Sequence, residues 1–197
     1  TGESVETGTW GLGLDTSEKN TRSTRPADSE ESLSDRVEIA IVTFLQKNQS
    51  AIYLEVENDL YPRFTGLLTP SKGLIYAILN SYAEKKSGSW NLRAEDLVSA
   101  RREELNTMYT LIETIGKRLG YTTRKQDRLL HWEESEKTVR TFNVLASALL
   151  GRALQESAPD TVIVIPGGRA ALAAYKQERD PALAKKKKKY RLVKYRL

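Results

Sequence analysis

The chain contains no cysteine, so the sequence excludes a disulfide framework, a thiolate nucleophile and a cysteine-based metal site. It has a single histidine, His131, and a metal site usually needs more ligands than one strand end supplies. No apolar run approaches the roughly 20 residues that span a bilayer, and the polar, acidic N-terminus does not resemble a signal peptide. We therefore expect a cytoplasmic protein with no membrane contact, no cofactor and no bound metal.

Charge is distributed unevenly along the 197 residues. The net charge is +5, but residues 1–50 carry 5 basic and 9 acidic side chains, whereas residues 166–197 carry 11 basic and 2 acidic ones. Such polarity indicates an anionic partner for the C-terminal end. A solvated helix face with a lysine-rich loop explains the same charges equally well, so both interpretations stay open.

Residues 161–197 predict a strand–helix–strand unit. Val162–Ile165 is a β-branched run that ends at Pro166, as a fully buried strand would. Gly167 and Gly168 allow a positive φ or a close approach before the helix. The small apolar face of that helix consists of Ala170, Ala171, Ala174 and Tyr175. A crossover of this length implies that the last strand pairs parallel to the first.

Residues 34–93 predict three helices and a hairpin. Ser34 or Asp35 can cap the first helix, with Glu38 in the position of a capping box. The second helix is predicted over Ala51–Leu60 and the third over Pro70–Glu84. The third helix shows an apolar face of Leu74, Ile75, Ile78, Leu79 and Tyr82, and a polar face of Lys72, Tyr76 and Asn80.

A turn at residues 85–88 then leads to the short strand Ser89–Leu92, where we expect Trp90 to support the hairpin by packing. This order is that of a winged helix, in which the third helix enters the DNA major groove and the hairpin contacts the backbone. A three-helix scaffold that packs only against other domains is the alternative.

Residues 94–197 predict a mixed sheet with helices. The longest helix, Ala94–Leu119, carries an apolar stripe and ends at Gly120. The strands Arg128–Trp132 and Thr138–Ala146 and a helix over Ser147–Glu156 follow. This order resembles the core of PD-(D/E)XK nucleases, which need an acid on one strand and an acid-x-lysine on the next to hold magnesium. The second strand reads Asn143-Val144-Leu145 instead, so a nuclease-like topology would here be degenerate.

The predicted fold class is therefore α+β. We expect a disordered linker over residues 1–33, a winged-helix-like domain over 34–93 and an α/β domain over 94–197. The linker is polar except for one apolar patch at Trp10, Leu12 and Leu14.

Three stretches of the chain carry a resemblance to a known group of proteins. They are Ser34-Asp35-Arg36-Val37-Glu38, then Phe64-Thr65-Gly66-Leu67-Leu68-Thr69-Pro70, then Ile165-Pro166-Gly167-Gly168-Arg169-Ala170-Ala171-Leu172 with Tyr175-Lys176 and Arg179-Asp180-Pro181. From about Ser34 to Leu197 the chain resembles the C-terminal, non-catalytic region of large bacterial DNA-methyltransferase-like proteins of the N4-cytosine/N6-adenine class. The resemblance implies a DNA-modification or defence setting, with the catalytic domain upstream. It supplies no catalytic residue.

The sequence thus predicts a non-catalytic, DNA-binding or accessory region. Pro166 to Arg169 could hold a phosphate at a helix N-terminus, or form only a tight turn. The predicted backbone contacts to DNA are Lys72, Lys85, Lys86, Arg169, Lys185, Lys186, Lys187, Lys188, Lys189, Arg191, Lys194 and Arg196. Two alternatives stay open: a protein-interaction scaffold that does not touch DNA, and a degenerate nuclease that depends on Glu133 and Glu134.

Overall fold

The computed structural model describes residues 32–64, 69–186 and 190–195. The predicted α+β class is confirmed, because helices combine with one antiparallel and one mixed sheet. The predicted linker, apart from its last two residues, lies outside the described residues. Among the described helices, none has both the length and the apolar character that crossing a membrane requires.

The N-terminal part contains three helices and a small antiparallel sheet. Its elements in chain order are α1 (Leu33–Asn48), β1 (Ser50–Ile52), α2 (Tyr53–Leu60), α3 (Lys72–Tyr82), β2 (Ala83–Lys86) and β3 (Ser89–Leu92). The strand order is β1-β3-β2. Strand β2 was not predicted, because its residues were assigned to the end of the third helix and to the turn at residues 85–88. Strand β1 was not predicted either, since three residues are too few to show a period. It forms because Gln49, at φ 60°, turns the chain so that Ala51 pairs with Trp90.

Hydroxyl side chains begin the two long helices of this part. The Ser32 hydroxyl accepts the Asp35 N–H at 3.2 Å, and the Ser71 hydroxyl accepts the Leu74 N–H at 3.1 Å. The predicted capping box at Asp35 and Glu38 is therefore wrong. Both carboxylates point into the protein, where they have other partners.

A five-stranded mixed sheet forms the second part. Its elements are α4 (Val98–Arg118), β4 (Thr122–Gln126), β5 (Leu129–Glu134), β6 (Lys137–Val144), α5 (Leu150–Glu156), β7 (Val162–Pro166), α6 (Ala170–Arg179), α7 (Pro181–Lys186) and β8 (Arg191–Tyr195). The order is β4-β5-β6-β7-β8, antiparallel from β4 to β6 and parallel from β6 to β8. The predicted parallel crossover is confirmed, with Val164 opposite Val193.

Two apolar clusters form the core. The larger one joins α1 and α3 to β7, α5, α6 and α7, and includes Ile41, Leu79 and Ile163 at 0–1% exposure. The smaller one packs the middle of α4 on the other face of the sheet, through Met108 and Leu130 among others. The larger cluster contains residues from both sides of residue 93, where a boundary between two domains was predicted. The division into two domains at that residue stays a prediction.

Two predicted helix faces differ from the structure. The longest helix begins at Val98 rather than at Ala94, because residues 94–96 form a separate 3-10 turn. Ile115 on α4 and the flanking Leu97 and Leu119 are 41–62% exposed, because the helix contacts the sheet only through its middle turns. On α6 the predicted alanine face is wrong. Leu172 and Lys176 are buried, while the side chains of Ala171 and Ala174 are exposed.

Gly167 and Gly168 do not have the predicted positive φ. At Gly168 the predicted close approach is also wrong, because a Cβ there would meet open space.

Candidate nucleic-acid interface and buried charge cluster

The exposed side of α3 and the β2–β3 hairpin form one candidate surface, which we call the helix–hairpin surface. Its α3 members Lys72, Tyr76 and Asn80 are exposed, and so are Lys85 and Lys86 on β2. The hairpin is tight, because both turn residues have a positive φ. The surface therefore presents amide, phenol and ammonium groups on a short, rigid frame.

Aromatic rings tie the hairpin to α3. Tyr76 stacks on Tyr53 with ring centroids 4.6 Å apart, and it lies 6.3 Å from Trp90. Trp90 is 4% exposed, and the Lys85 ammonium lies 5.8 Å from its ring centroid. Packing of this kind fixes the position of the hairpin lysines relative to α3.

The charge of the helix–hairpin surface is positive but moderate. Lys86 forms an exposed ion pair with Glu84, which offsets part of its charge. Within the described residues, Lys72 and Lys85 have no carboxylate partner. Two unneutralised ammonium groups therefore remain on this surface.

The other predicted basic contacts are dispersed or not described. On β8, Arg191 and Lys194 are exposed, but they are three residues apart on a strand and so point to opposite faces. Lys185 and Lys186 end α7, and their side chains are not described. Lys187, Lys188, Lys189 and Arg196 lie outside the described residues.

Arg169 lies inside the protein. It is 4% exposed, and its terminal nitrogens donate to both oxygens of Ser81 and to Asp96. The guanidinium carbon also lies 3.7 Å from the Tyr82 ring centroid. This placement conflicts with the predicted nucleic-acid contact and with a phosphate site at the preceding turn, because protein acceptors already occupy these nitrogens.

A second buried cation, Lys176, forms the centre of a cluster that sequence reasoning missed. Its ammonium donates to Asp35 Oδ1 at 2.7 Å, to Glu38 and to the Ala148 carbonyl at 3.1 Å. Glu38 also accepts the Tyr82 hydroxyl and the Ala148 N–H, the latter at 2.9 Å. We call Asp35, Glu38, Lys176 and Tyr82 the buried charge cluster.

Local geometry brings Asp35 into this cluster. A Cβ at Gly151 would lie 2.8 Å from Asp35 Oδ2, so only glycine leaves room for the carboxylate at the start of α5. Asp35 Oδ2 then accepts the Arg152 N–H at 3.2 Å. Next to it, the Ser34 hydroxyl donates to Asp180 at 2.9 Å. The first and third stretches of the resemblance noted above therefore meet here.

The pKa values in the cluster follow from burial and charge. Burial raises the pKa of Asp35, although Lys176 acts against that rise. Burial alone would lower the pKa of Lys176, but Glu38 and Asp35 outweigh it and raise the pKa above 10.5. Burial, and then the charge of Glu38, raises the pKa of the Tyr82 hydroxyl far above 10. Lys176 is thus a charged ammonium at neutral pH.

His131 and the two glutamates after it do not form a metal site in the structure. His131 Nδ1 lies 3.0 Å from the Thr141 hydroxyl, and Arg124 pairs with Glu133 at 2.8 Å. Burial, and then Arg124, lowers the pKa of His131 below 6.5. In the part of the chain that is described, no three histidine, aspartate or glutamate side chains are grouped as metal ligands.

We compared the chain with models of protein families, with curated proteins and with solved structures, and it matches none of them. The resemblance to methyltransferase-associated regions accordingly stays a prediction.

One feature of the amino-acid sequence pointed to the buried charge cluster. Glu38 continues the buried row that Val42 and Leu45 form on α1, so a carboxylate occupies a core position of an amphipathic helix. Buried carboxylates of this kind require a cationic partner. The sequence did not reveal which lysine supplies it.

Proposed function

We propose that this chain is a non-catalytic DNA-binding accessory region of a cytoplasmic DNA-modification protein, with a winged-helix type of DNA contact. One observation carries the proposal: the order helix, strand, helix, helix, hairpin, with strands ordered β1-β3-β2. In this arrangement the exposed side of α3 and the hairpin lie on a common surface. An upstream catalytic domain of the same longer chain is the further partner that we propose.

The side chains of the helix–hairpin surface suit a duplex. The Asn80 amide is a group that reads adenine in the major groove, and Tyr76 offers a ring and a hydroxyl. Lys72 and Lys85 would neutralise backbone phosphates, whereas Lys86 already pairs with Glu84. Two such contacts predict that log K falls against log salt with a slope of about −1.8.

The buried charge cluster supports this role by fixing α3. Tyr82 is the last residue of α3, and its hydroxyl donates to Glu38 of α1. Ser81 accepts from Arg169, which precedes α6. Helix α3 is therefore held from two sides, and a fixed recognition helix loses little conformational entropy on binding.

The test is fluorescence anisotropy with a labelled random 20-base-pair duplex at several salt concentrations. Replacing Lys72 and Lys85 with glutamine should weaken binding and make the salt slope shallower by about 1.8. The matched control replaces Lys117 and Arg118 of α4, two exposed cations remote in sequence from the helix–hairpin surface, and should leave that part of the slope intact. Equal slopes for the parent chain and the Lys72/Lys85 variant would refute the proposal.

A second candidate function, a protein-interaction module, is favoured by the outer face of α4. Leu111, Ile115 and Leu119 are 41–62% exposed at helical spacing, and Thr114, which directly precedes Ile115, carries no charge. An apolar docking surface would bind a partner domain about equally well at low and high salt. Salt-independent association without DNA affinity would favour this alternative.

We propose no catalysis by this chain. The degenerate-nuclease alternative has only the sheet order in its favour, since Asn143 is buried and donates to Ser157 at 3.1 Å where a metal-binding acid would be needed. Incubation of plasmid DNA with the purified chain and magnesium should leave the plasmid intact. Cleavage that is lost when Glu133 and Glu134 become alanine would overturn this part of the proposal.

A further inference from the structure

A basic groove lies on the five-stranded part, away from the residues of the helix–hairpin surface. Its volume is about 500 Å³, and it runs between the N-terminal half of α4, the β4–β5 turn and the end of β6. Four cationic side chains line it, namely Arg101, Arg102, Lys125 and Arg128, against one carboxylate, Asp127. We call this cavity the α4 groove.

Several surface cations of the protein are neutralised by ion pairs, whereas three of the four groove cations are not, in the part of the chain that the structure describes. Arg63, Lys86, Lys117 and Arg124 each pair with a carboxylate within 4.0 Å. Over the described ranges, no carboxylate lies that close to the charged groups of Arg101, Arg102 or Lys125. Their positive charge therefore exceeds the charge of Asp127, the one carboxylate among the lining residues of the groove.

Arg101 is the fixed member of this set. Its Nη2 donates to the Ala146 carbonyl at 3.0 Å, and its guanidinium carbon lies 5.4 Å from the Tyr82 ring centroid. Its Nε is buried and has no acceptor among the described residues. The carboxylates of Asp96 and Glu104 interact electrostatically more strongly with Arg169 than with Arg101. The contacts with Ala146 and Tyr82 hold the Arg101 guanidinium in place at the wall of the groove.

The opposite wall of the groove is held by an aromatic contact. The Lys125 ammonium lies 4.1 Å from the Tyr109 ring centroid, and the Tyr109 hydroxyl donates to the Arg128 carbonyl at 2.6 Å. These two contacts fasten the β4–β5 turn to α4. The cations of the turn and the cations of the helix consequently face one cavity.

We propose that the α4 groove binds phosphate groups of a nucleic-acid backbone and is a second nucleic-acid contact surface of this chain. Arginine and lysine around a concave site of net positive charge are the groups that recognise phosphate. The side chains of the groove by themselves favour a phosphate group. That this phosphate belongs to a nucleic acid rests on the proposed function. The groove shares no residue with the helix–hairpin surface, so the two can be tested separately.

The experiment compares two double variants of the full chain by anisotropy with a labelled 20-base-pair duplex and a 20-nucleotide single strand. Arg102→Gln with Lys125→Gln removes two exposed groove cations, and Lys117→Gln with Arg118→Gln removes two exposed cations from the other end of α4. For the groove variant we expect a slope shallower by about 1.8 on the duplex and by about 1.4 on the single strand. Between 50 and 200 mM salt the duplex affinity of the parent chain should then fall about twelvefold more than that of the groove variant.

Each outcome decides between the two surfaces. Loss of slope in the groove variant but not in the Lys72/Lys85 variant would support the groove and refute the helix–hairpin proposal. The reverse pattern would overturn the groove. An unchanged slope in the groove variant, or no nucleic-acid binding by the parent chain, would also overturn it. Another outcome is that the parent chain binds pyrophosphate but no nucleic acid, and that the groove variant does not bind pyrophosphate. This outcome would refute the proposal that the phosphate belongs to a nucleic acid.

Discussion

Replacing Lys176 with methionine tests the buried charge cluster most directly. The methionine keeps the apolar stem but leaves Asp35 and Glu38 together at 1% side-chain exposure without a cation. Removing one partner of a buried pair costs about 3–5 kcal/mol. The folded variant can avoid two buried charges by protonating one carboxylate, which for a carboxyl of ordinary pKa 3.8 costs about 4 kcal/mol at pH 7. This cost sets an independent upper limit on the loss of unfolding free energy. We therefore expect a loss of about 3–4 kcal/mol in the free energy of unfolding.

The loss should depend on pH with a definite sign. Without Lys176 the two carboxylates repel each other, so the folded variant binds a proton that the unfolded chain releases near its ordinary pKa. The destabilisation relative to the parent chain should shrink by up to about 1.4 kcal/mol for each pH unit as the pH falls from 7 toward 4. Adding Asp35→Asn should recover part of the loss at pH 7, since only one buried charge then remains.

Urea unfolding followed by tryptophan fluorescence measures these differences. Lys117→Met is the matched control, because Lys117 also pairs with a carboxylate at 2.8 Å but is 63% exposed. It should change the unfolding free energy little and show no pH trend. A loss for Lys176→Met that is no larger than that of the control, or one that grows as the pH falls, would refute the reasoning.

Two further predictions concern other sites. Burial, and then Arg124, lowers the pKa of His131, so NMR titration of this single histidine should give a pKa below 6.5. The Arg124→Gln variant should have a higher His131 pKa than the parent chain. A pKa at or above 6.5 in the parent chain would contradict the burial argument. Gly116→Ala should cost about 1–3 kcal/mol in urea unfolding, because the added Cβ would lie 2.5 Å from the Trp132 indole nitrogen. Gly168→Ala is its control and should be neutral or stabilising by up to about 1 kcal/mol, since its Cβ would meet open space; equal losses for the two would contradict the packing argument.

Local pattern determined several elements of this protein. Helix α3 has apolar residues at helical spacing, and the predicted buried face is the observed one. Its predicted ends were wrong, because the helix begins after Ser71 rather than at Pro70 and ends at Tyr82 rather than at Glu84. Strand β7 was predicted from its β-branched run, and all five of its residues are buried. In both cases the same few neighbouring residues specify the element and its buried side, so the amino-acid sequence alone was sufficient.

Strands β1 and β4 were decided by partners rather than by their own residues. Strand β4 reads Thr122–Gln126, has no apolar alternation and exposes four of its five residues. It is a strand because β5 supplies the hydrogen-bonding partner, with Arg124 opposite His131. An edge strand of this kind gains its stability from a neighbour and shows little of it in its own composition.

The amino-acid sequence by itself determined the fold class, the parallel crossover and the two faces of α3. Only the tertiary structure decided that Lys176 and Arg169 lie inside and that Arg101, Arg102, Lys125 and Arg128 line one cavity. Lys176 meets Asp35 across 141 positions and Glu38 across 138. The sequence shows a basic helix there, because charge is a property of each residue, whereas burial of a charge depends on which distant carboxylates the fold brings within reach.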